Sequence, residues 1–228
     1  MLIPIGSIVN AIAVIVGSLV GLGIGSFIPE RIRSSIFQVI GLFTLVLGIK
    51  MALDTQYFLI LLSSLVIGVL LGEALNIERG LETIGSLLKE KFKSENKLFS
   101  EGLITAFLLY CIGSMTFVGA IEEGINNDRT LLYTKSIMDG LTSILLASTL
   151  GTGVLISAIP LLIFQSVLTW AALYFEDHLS PEMITELSAV GGVLIIAISL
   201  NILGMLKIKV SNLLPALILV LPIYLLFD

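Results

Sequence analysis

IPIGSIVNAIAVIVGSLVGLGIG, Ile3–Gly25, runs for 23 residues without an Asp, Glu, Lys or Arg. At about 1.5 Å of rise per residue, a helix of that length outspans a hydrocarbon core of about 30 Å, so the stretch reads as a membrane span. It has no basic leader and no small-residue cleavage end, which predicts a retained span rather than a removed signal peptide. Gly17, Gly21 and Gly25 recur every four residues within it and share one helix face. That spacing predicts close packing against another backbone; a glycine-lined pathway is the alternative.

Similar runs recur along the chain, near 3–27, 34–53, 57–76, 102–121, 136–152, 156–175, 184–205 and 212–227. Of the 228 residues 57% are hydrophobic and 13% charged, and mean hydropathy is +1.09. No water-soluble core hides that much apolar surface. The stretch 136–175 is about twice what one crossing needs, so a break is expected at Gly151-Thr152-Gly153 or nearer Pro160. The reading is one all-α integral membrane domain, 1–228, with about eight transmembrane helices.

Lys and Arg set the orientation. With eight spans, one face collects Arg31, Arg33, Arg79, Lys89, Lys91, Lys93, Lys97, Lys207 and Lys209, and the other only Lys50, Arg129 and Lys135. The first face is therefore cytoplasmic and both termini lie outside, with the acidic connector Glu176, Asp177, Glu182 and Glu186. The one long cytoplasmic connector places Ile77, Leu81, Ile84, Leu88 and Phe92 at helical spacing. An amphipathic helix lying in the lipid interface explains that pattern, and a partner-binding helix is the other reading. The net charge of −5 and the lack of a basic run argue against nucleic acid. The single cysteine, Cys111, rules out an intrachain disulfide, and the lone His178 leaves no Cys/His metal cluster or zinc-protease motif. No cofactor is expected.

The two ends resemble each other. Ile3-Pro4 followed by Asn10 matches Ile159-Pro160 followed by Gln165; Pro29-Glu30 matches Pro181-Glu182; Gly41, Gly48 and Lys50 match Gly192, Ser199 and Asn201. The matching spans are five crossings apart, so the two units have opposite orientations. The expected organisation is repeat A at 1–77, an interfacial helix at 78–98, a central pair at 100–155 and repeat B at 156–228.

Polar residues inside spans are costly and usually face the bundle interior. Asn10 and Gln165 are either hydrogen-bonded glue between helices or the lining of a polar path. Lys50 and Asn201 lie near span ends, where Lys50 can snorkel to the interface. The densest cluster is Ser114, Met115, Thr116, Gly119, Glu122, Glu123, Asp128, Lys135 and Asp139. Lys135 and Asp139, at i and i+4, share a helix face. They form a solvated ion pair or belong to a cation or proton site with Glu122 or Asp139 as the ionisable group. The candidates for a solute or ion path are thus Asn10, Ser114, Glu122, Lys135, Asp139, Gln165 and Asn201, with Gly17, Gly21 and Gly25 as packing residues.

CIGSMTFVGAIEEGINND (111–128), LLYTKSIMDG (131–140), LASTLGTGVLISAIP (146–160) and Phe164-Gln165 stand out. With the opening stretch, ELSAVGGVLIIAISLNILG (186–204) and NLLPA (212–216), they resemble the bacterial membrane-protein family catalogued as domain of unknown function 554. Asn10, Gly113, Met115, Gly119, Lys135, Asp139, Gln165, Asn201 and Asn212 carry the match. The resemblance spans nearly the whole chain and implies a prokaryotic inner-membrane protein with no assigned activity, at most a transport protein. Three functions are weighed. The first is a transporter or channel for a small solute or ion. The second is a structural or stress-related component binding partners through the 77–98 helix, and the third an intramembrane enzyme, for which no catalytic motif is present. The bilayer is the certain partner, and the GxxxG faces permit a homo-oligomer.

Overall fold

The computed structural model describes residues 3–25, 27, 29–111, 114–175 and 180–227. In chain order the helices are α1 (Ile5–Gly25), α2 (Glu30–Leu53), α3 (Phe58–Leu75), α4 (Ile77–Lys91), α5 (Phe99–Cys111), α6 (Ser114–Asn126), α7 (Thr130–Leu150), α8 (Thr152–Ile156), α9 (Ala158–Phe175), α10 (Pro181–Ile202) and α11 (Pro215–Phe227). A short 3-10 turn, Val210–Leu213, precedes α11. Five segments are long and apolar enough to cross a bilayer: Ile5–Gly25, Ser34–Leu53, Phe58–Leu75, Thr152–Ala172 and Pro181–Ile202. A sixth is added if Phe99–Cys111 and Met115–Asn126, bent by 59°, count as one span.

The chain is therefore all-helical among its described residues, with five to six candidate spans on length and hydropathy. The two further stretches predicted to cross differ for physical reasons. α7 is long enough but carries Lys135, Asp139 and a series of Ser and Thr residues that lower its hydropathy. The last, Val210–Leu226, is shorter than a full span. The run 102–121, read as one span, is bent between α5 and α6. The Thr116 hydroxyl donates to the freed carbonyl of Tyr110 (3.0 Å), meeting the need for an internal partner at the break.

The expected break at 151–153 falls at Gly151, whose φ of +80° a side chain would strain. There Asn96 donates from Nδ2 to the last carbonyl of α7, Leu150 O (2.7 Å), and caps it. α10 begins with Ser180 accepting from Met183 N (3.2 Å) and with Pro181 in its first turn, a strong helix-start signal.

The residues divide into two compact units, 1–37 with 85–178, and 38–84 with 179–228. The first therefore joins the N-terminal helix to the middle of the chain, and the second joins the α2–α3 region to the C-terminal helices. In the first, the glycines of α1 lie on α7: a Cβ at Gly17 would be 2.1 Å from Gly140 O, at Gly21 2.3 Å from Ile144 O, and at Gly25 2.9 Å from Ser148 O. The stripe is a packing interface, and its in-step advance makes α1 and α7 parallel. In the second unit, α2 meets α10 through Ser199 Oγ donating to Gly41 O (2.8 Å) and through a close approach of Gly48 to Gly192 O. α3 meets α11 and the turn before it, with Gly68 against Ala216 and Gly72 against Asn212. Both of these pairs run antiparallel. Here Glu186, 1% exposed, braces the α2–α3 turn, accepting from Thr55 Oγ1 (2.5 Å) and Gln56 N (2.8 Å).

Candidate functional site

Within the first unit α1, α7 and α9 bring together four of the sequence candidates. Asn10 and Gln165 are both 0% exposed, and Lys135 and Asp139 are each 7% exposed. Lys135 Nζ donates to both Asp139 oxygens, Oδ1 at 2.8 Å and Oδ2 at 2.6 Å. The pair is therefore buried, not solvated. Asn10 Nδ2 donates to Asp139 Oδ2 (2.9 Å) and to Gln165 Oε1 (3.1 Å).

The orientation of both amides follows from that geometry. An ionised carboxylate only accepts, so Asn10 must turn its NH2 towards Asp139. The second hydrogen of that NH2 goes to Gln165, which must then present its carbonyl. As a result Asn10 Oδ1 and Gln165 Nε2 point away from each other's partners, and neither finds a hydrogen-bond partner in the protein. A polarised chain, ammonium to carboxylate to amide to amide, thus ends in a buried acceptor and a buried donor that a small polar molecule can complete. Below the carboxylate, Ser143 Oγ donates to Asp139 O (2.7 Å), so Tyr110 OH, 2.8 Å from Ser143 Oγ, supplies the hydrogen of that contact.

Asn10 is the sixth residue of α1 and Asp139 the tenth of α7, each helix 21 residues long. Asp139 therefore lies one residue from the middle of α7, and Asn10 about a quarter of the way along α1. Removing one member of such a buried pair costs about 3–5 kcal/mol, because the other charge is left without a partner.

Three other candidates lie elsewhere. Glu122 is half-buried and accepts from Asn126 Nδ2 (2.7 Å). Asn201 both donates to and accepts from Ile208 (2.7 and 2.8 Å), stapling the loop after α10. Ser114 opens α6, and its side chain falls outside the described residues, as do Gly113 and the connector residues Glu176, Asp177 and His178. Lys50 is exposed in the last turn of α2.

The sequence reading placed Glu123 in the polar cluster but not among the path candidates; it is 0% exposed. Its Oε1 accepts from Gly6 N (2.8 Å), capping the first turn of α1, and from Arg129 Nε (3.0 Å). Thr116, Ala120 and Glu123 are all 0% exposed and mark the inward stripe of α6 at i, i+4 and i+7. That phase was the available signal separating Glu123 from Glu122. In the loop before α7, Asp128 accepts from Thr130 N and Thr130 Oγ1. These bonds, the backbone one first, hold its carboxyl below the ordinary value. Among the described residues no three His, Cys, Asp or Glu side chains converge as metal ligands.

The family model for a protein of unknown function, DUF554, matches residues 5–225. The chain is 36% identical over 217 residues to the uncharacterized membrane protein YdfK of Bacillus subtilis (strain 168), covering 93% of this chain and 92% of that one. It is 34% identical over 224 residues to the uncharacterized protein YqgA of Escherichia coli (strain K12), covering 96% and 95%. No solved structure matches it. With this match from end to end and a set of apolar helices long enough to cross a bilayer, the chain is a membrane protein of the DUF554 family.

Proposed function

We propose that this chain is a small-solute or ion transporter or channel of the prokaryotic inner membrane, with its polar path at the α1–α7–α9 cluster between two inverted three-helix repeats. The observation carrying the reading is the amide pair of Asn10 and Gln165, fully buried, with one acceptor and one donor open. Inside a membrane span such atoms cost energy unless something meets them, and a passing solute with both a donor and an acceptor does so.

The contacts between repeat mates support the inverted architecture. Asn10 bonds its own mate, Gln165. With Gly41 matched to Gly192 and Gly48 to Ser199, the contacts Gly41–Ser199 and Gly48–Gly192 exchange with each other under a two-fold rotation. α3 and α11, the third pair of mates, pack antiparallel. Each of these is what a repeat inverted about an axis in the membrane plane produces.

Parity supports eight crossings. Parallel α1 and α7 need an even number of crossings between their starts; α1, α2 and α3 supply three, so the bent α5–α6 element supplies the fourth. α7 is then the fifth crossing, α8–α9 the sixth, α10 the seventh and α11 the eighth. The Lys and Arg bias puts both termini outside. α4 fits a helix lying in the lipid interface, with Leu87 59% exposed and Lys89 and Lys91 in its last turn.

Purified protein in liposomes should dissipate a gradient of at least one of H+, Na+, K+ or Cl−, and Asp139→Asn or Gln165→Leu should reduce that flux in protein that still folds. Flux indifferent to both substitutions would remove the path from this cluster.

A further inference from the structure

Resting on the transport reading above, we infer that the species moved or coupled here is the proton, delivered from Glu123 along one face of α1 to the Lys135–Asp139 pair. Among the described residues, seven buried side-chain atoms have no hydrogen-bond partner, and five of them belong to Ser7, Asn10 and Ser18 on α1 or to Glu123 and Gln165 packed against it. All five residues are 0% exposed. Ser7, Asn10 and Ser18 stand at i, i+3 and i+11, within about 80° of one helix face and spread over about 16 Å of axis. Unsatisfied buried polar atoms mark places for water or ions, and in this arrangement they form a file instead of a scatter.

Glu123 is the ionisable head of that file. Both donors that reach it, Gly6 N and Arg129 Nε, fall on Oε1, and Oε2 has none. Glu186, the comparably buried carboxylate of the second unit, has a donor on each oxygen. A bare carboxylate oxygen in a low-dielectric interior is costly, and a proton is the smallest charge that relieves it. Arg129, whose side chain is 24% exposed, leaves one side chain between Glu123 and water. α1 and α9 carry no charged residue, so the charges around the file are Arg129, Lys135 and Asp139. Glu122 and Asp128, on the loop side, already have partners in Asn126 and Thr130.

The step balances without redox chemistry. Glu123 accepts one proton from solution, water held by Ser7 and Asn10 relays it, and Asp139 receives it and becomes neutral. Lys135 then loses an ionic partner while Asn10 keeps only a neutral acceptor, which loosens the bracket joining α1, α7 and α9. Asp139 then gives the proton to water beside Ser18 at the other end of the file, which restores both, so protonation and helix packing are coupled.

The test pairs a flux with an accessibility. In liposomes containing a pH-sensitive dye, with a valinomycin-imposed potassium potential, the wild type should move protons at least about tenfold faster than Glu123→Gln, which keeps an acceptor for Gly6 and Arg129 but holds no proton. Ser18→Cys should react with aminoethyl methanethiosulfonate, and this readout survives any folding defect of the Glu123 variant. Equal proton flux in both proteins, or an unreactive Ser18→Cys, overturns the relay. Flux of Na+ or Cl− without H+ overturns it too and leaves the transport reading standing, whereas no flux of any ion overturns it and leaves only the small-solute form of that reading.

Discussion

Asn10 and Gln165, 155 residues apart, hydrogen-bond each other at 3.1 Å with neither side chain exposed. They are also the residues that correspond when the two ends of the chain are compared. Under the proposed inverted repeat, a contact between mates is what a pseudo-two-fold axis passing at this point would produce.

The Lys135–Asp139 pair should behave as a unit. Asp139→Ala strands a buried ammonium and is expected to destabilise the protein by about 3–5 kcal/mol, and adding Lys135→Met should recover at least half of that. Thermal challenge in detergent, read by the fraction remaining monodisperse, measures both. A double variant less stable than Asp139→Ala alone would contradict a buried pair.

The α1–α7 seam should discriminate sharply between neighbouring glycines. Gly21→Leu would drive a side chain into Ile144 O, 2.3 Å from its Cβ, whereas a Cβ at Gly23 has nothing within 4 Å. Overpacking of this kind costs about 1–3 kcal/mol or more. Gly21→Leu is expected to lose most folded yield while Gly23→Leu keeps it, and equal yields would argue against the seam.

At the end of α7, Gly151→Ala meets two penalties, a φ of +80° and a Cβ 1.8 Å from Asn96 Nδ2. Together they should cost about 1–3 kcal/mol. Asn96→Ala, which frees the Leu150 carbonyl and the exposed Leu98 N–H that Asn96 Oδ1 accepts from, should cost less, about 1 kcal/mol. The ranking is read from the same thermal challenge, and the reverse order would contradict the capping account.

Topology can be read with a membrane-impermeant maleimide on intact cells. Asp54→Cys and Asn126→Cys should react from outside, and Lys207→Cys only after permeabilisation; native Cys111, 1% exposed, gives a low background. Asn126 is the deciding position, because it lies outside only if the bent α5–α6 element crosses once. Labelling there solely after permeabilisation would sink the eight-crossing account.

Much of this was legible in the sequence because the bilayer makes simple demands. Long apolar runs marked the five to six candidate spans, glycines at every fourth position marked the α1 seam, and Gly151 marked the end of α7. The i, i+4 spacing joined Lys135 to Asp139, since that contact is local. What was not legible depends on helix phase or on distant partners. Choosing Glu123 over Glu122 needed the inward stripe of α6, and the bond from Asn10 to Asp139 joins residues 129 apart. Asn201 was misplaced because its partner, Ile208, lies in a loop whose backbone no periodicity describes.

The most direct measurement is an experimental structure in a lipid nanodisc at a resolution that resolves ordered water. The account predicts density within hydrogen-bonding distance of both Asn10 Oδ1 and Gln165 Nε2, continuous with water reaching one membrane face. A dry contact in which protein groups satisfy both atoms would contradict a polar path at this site.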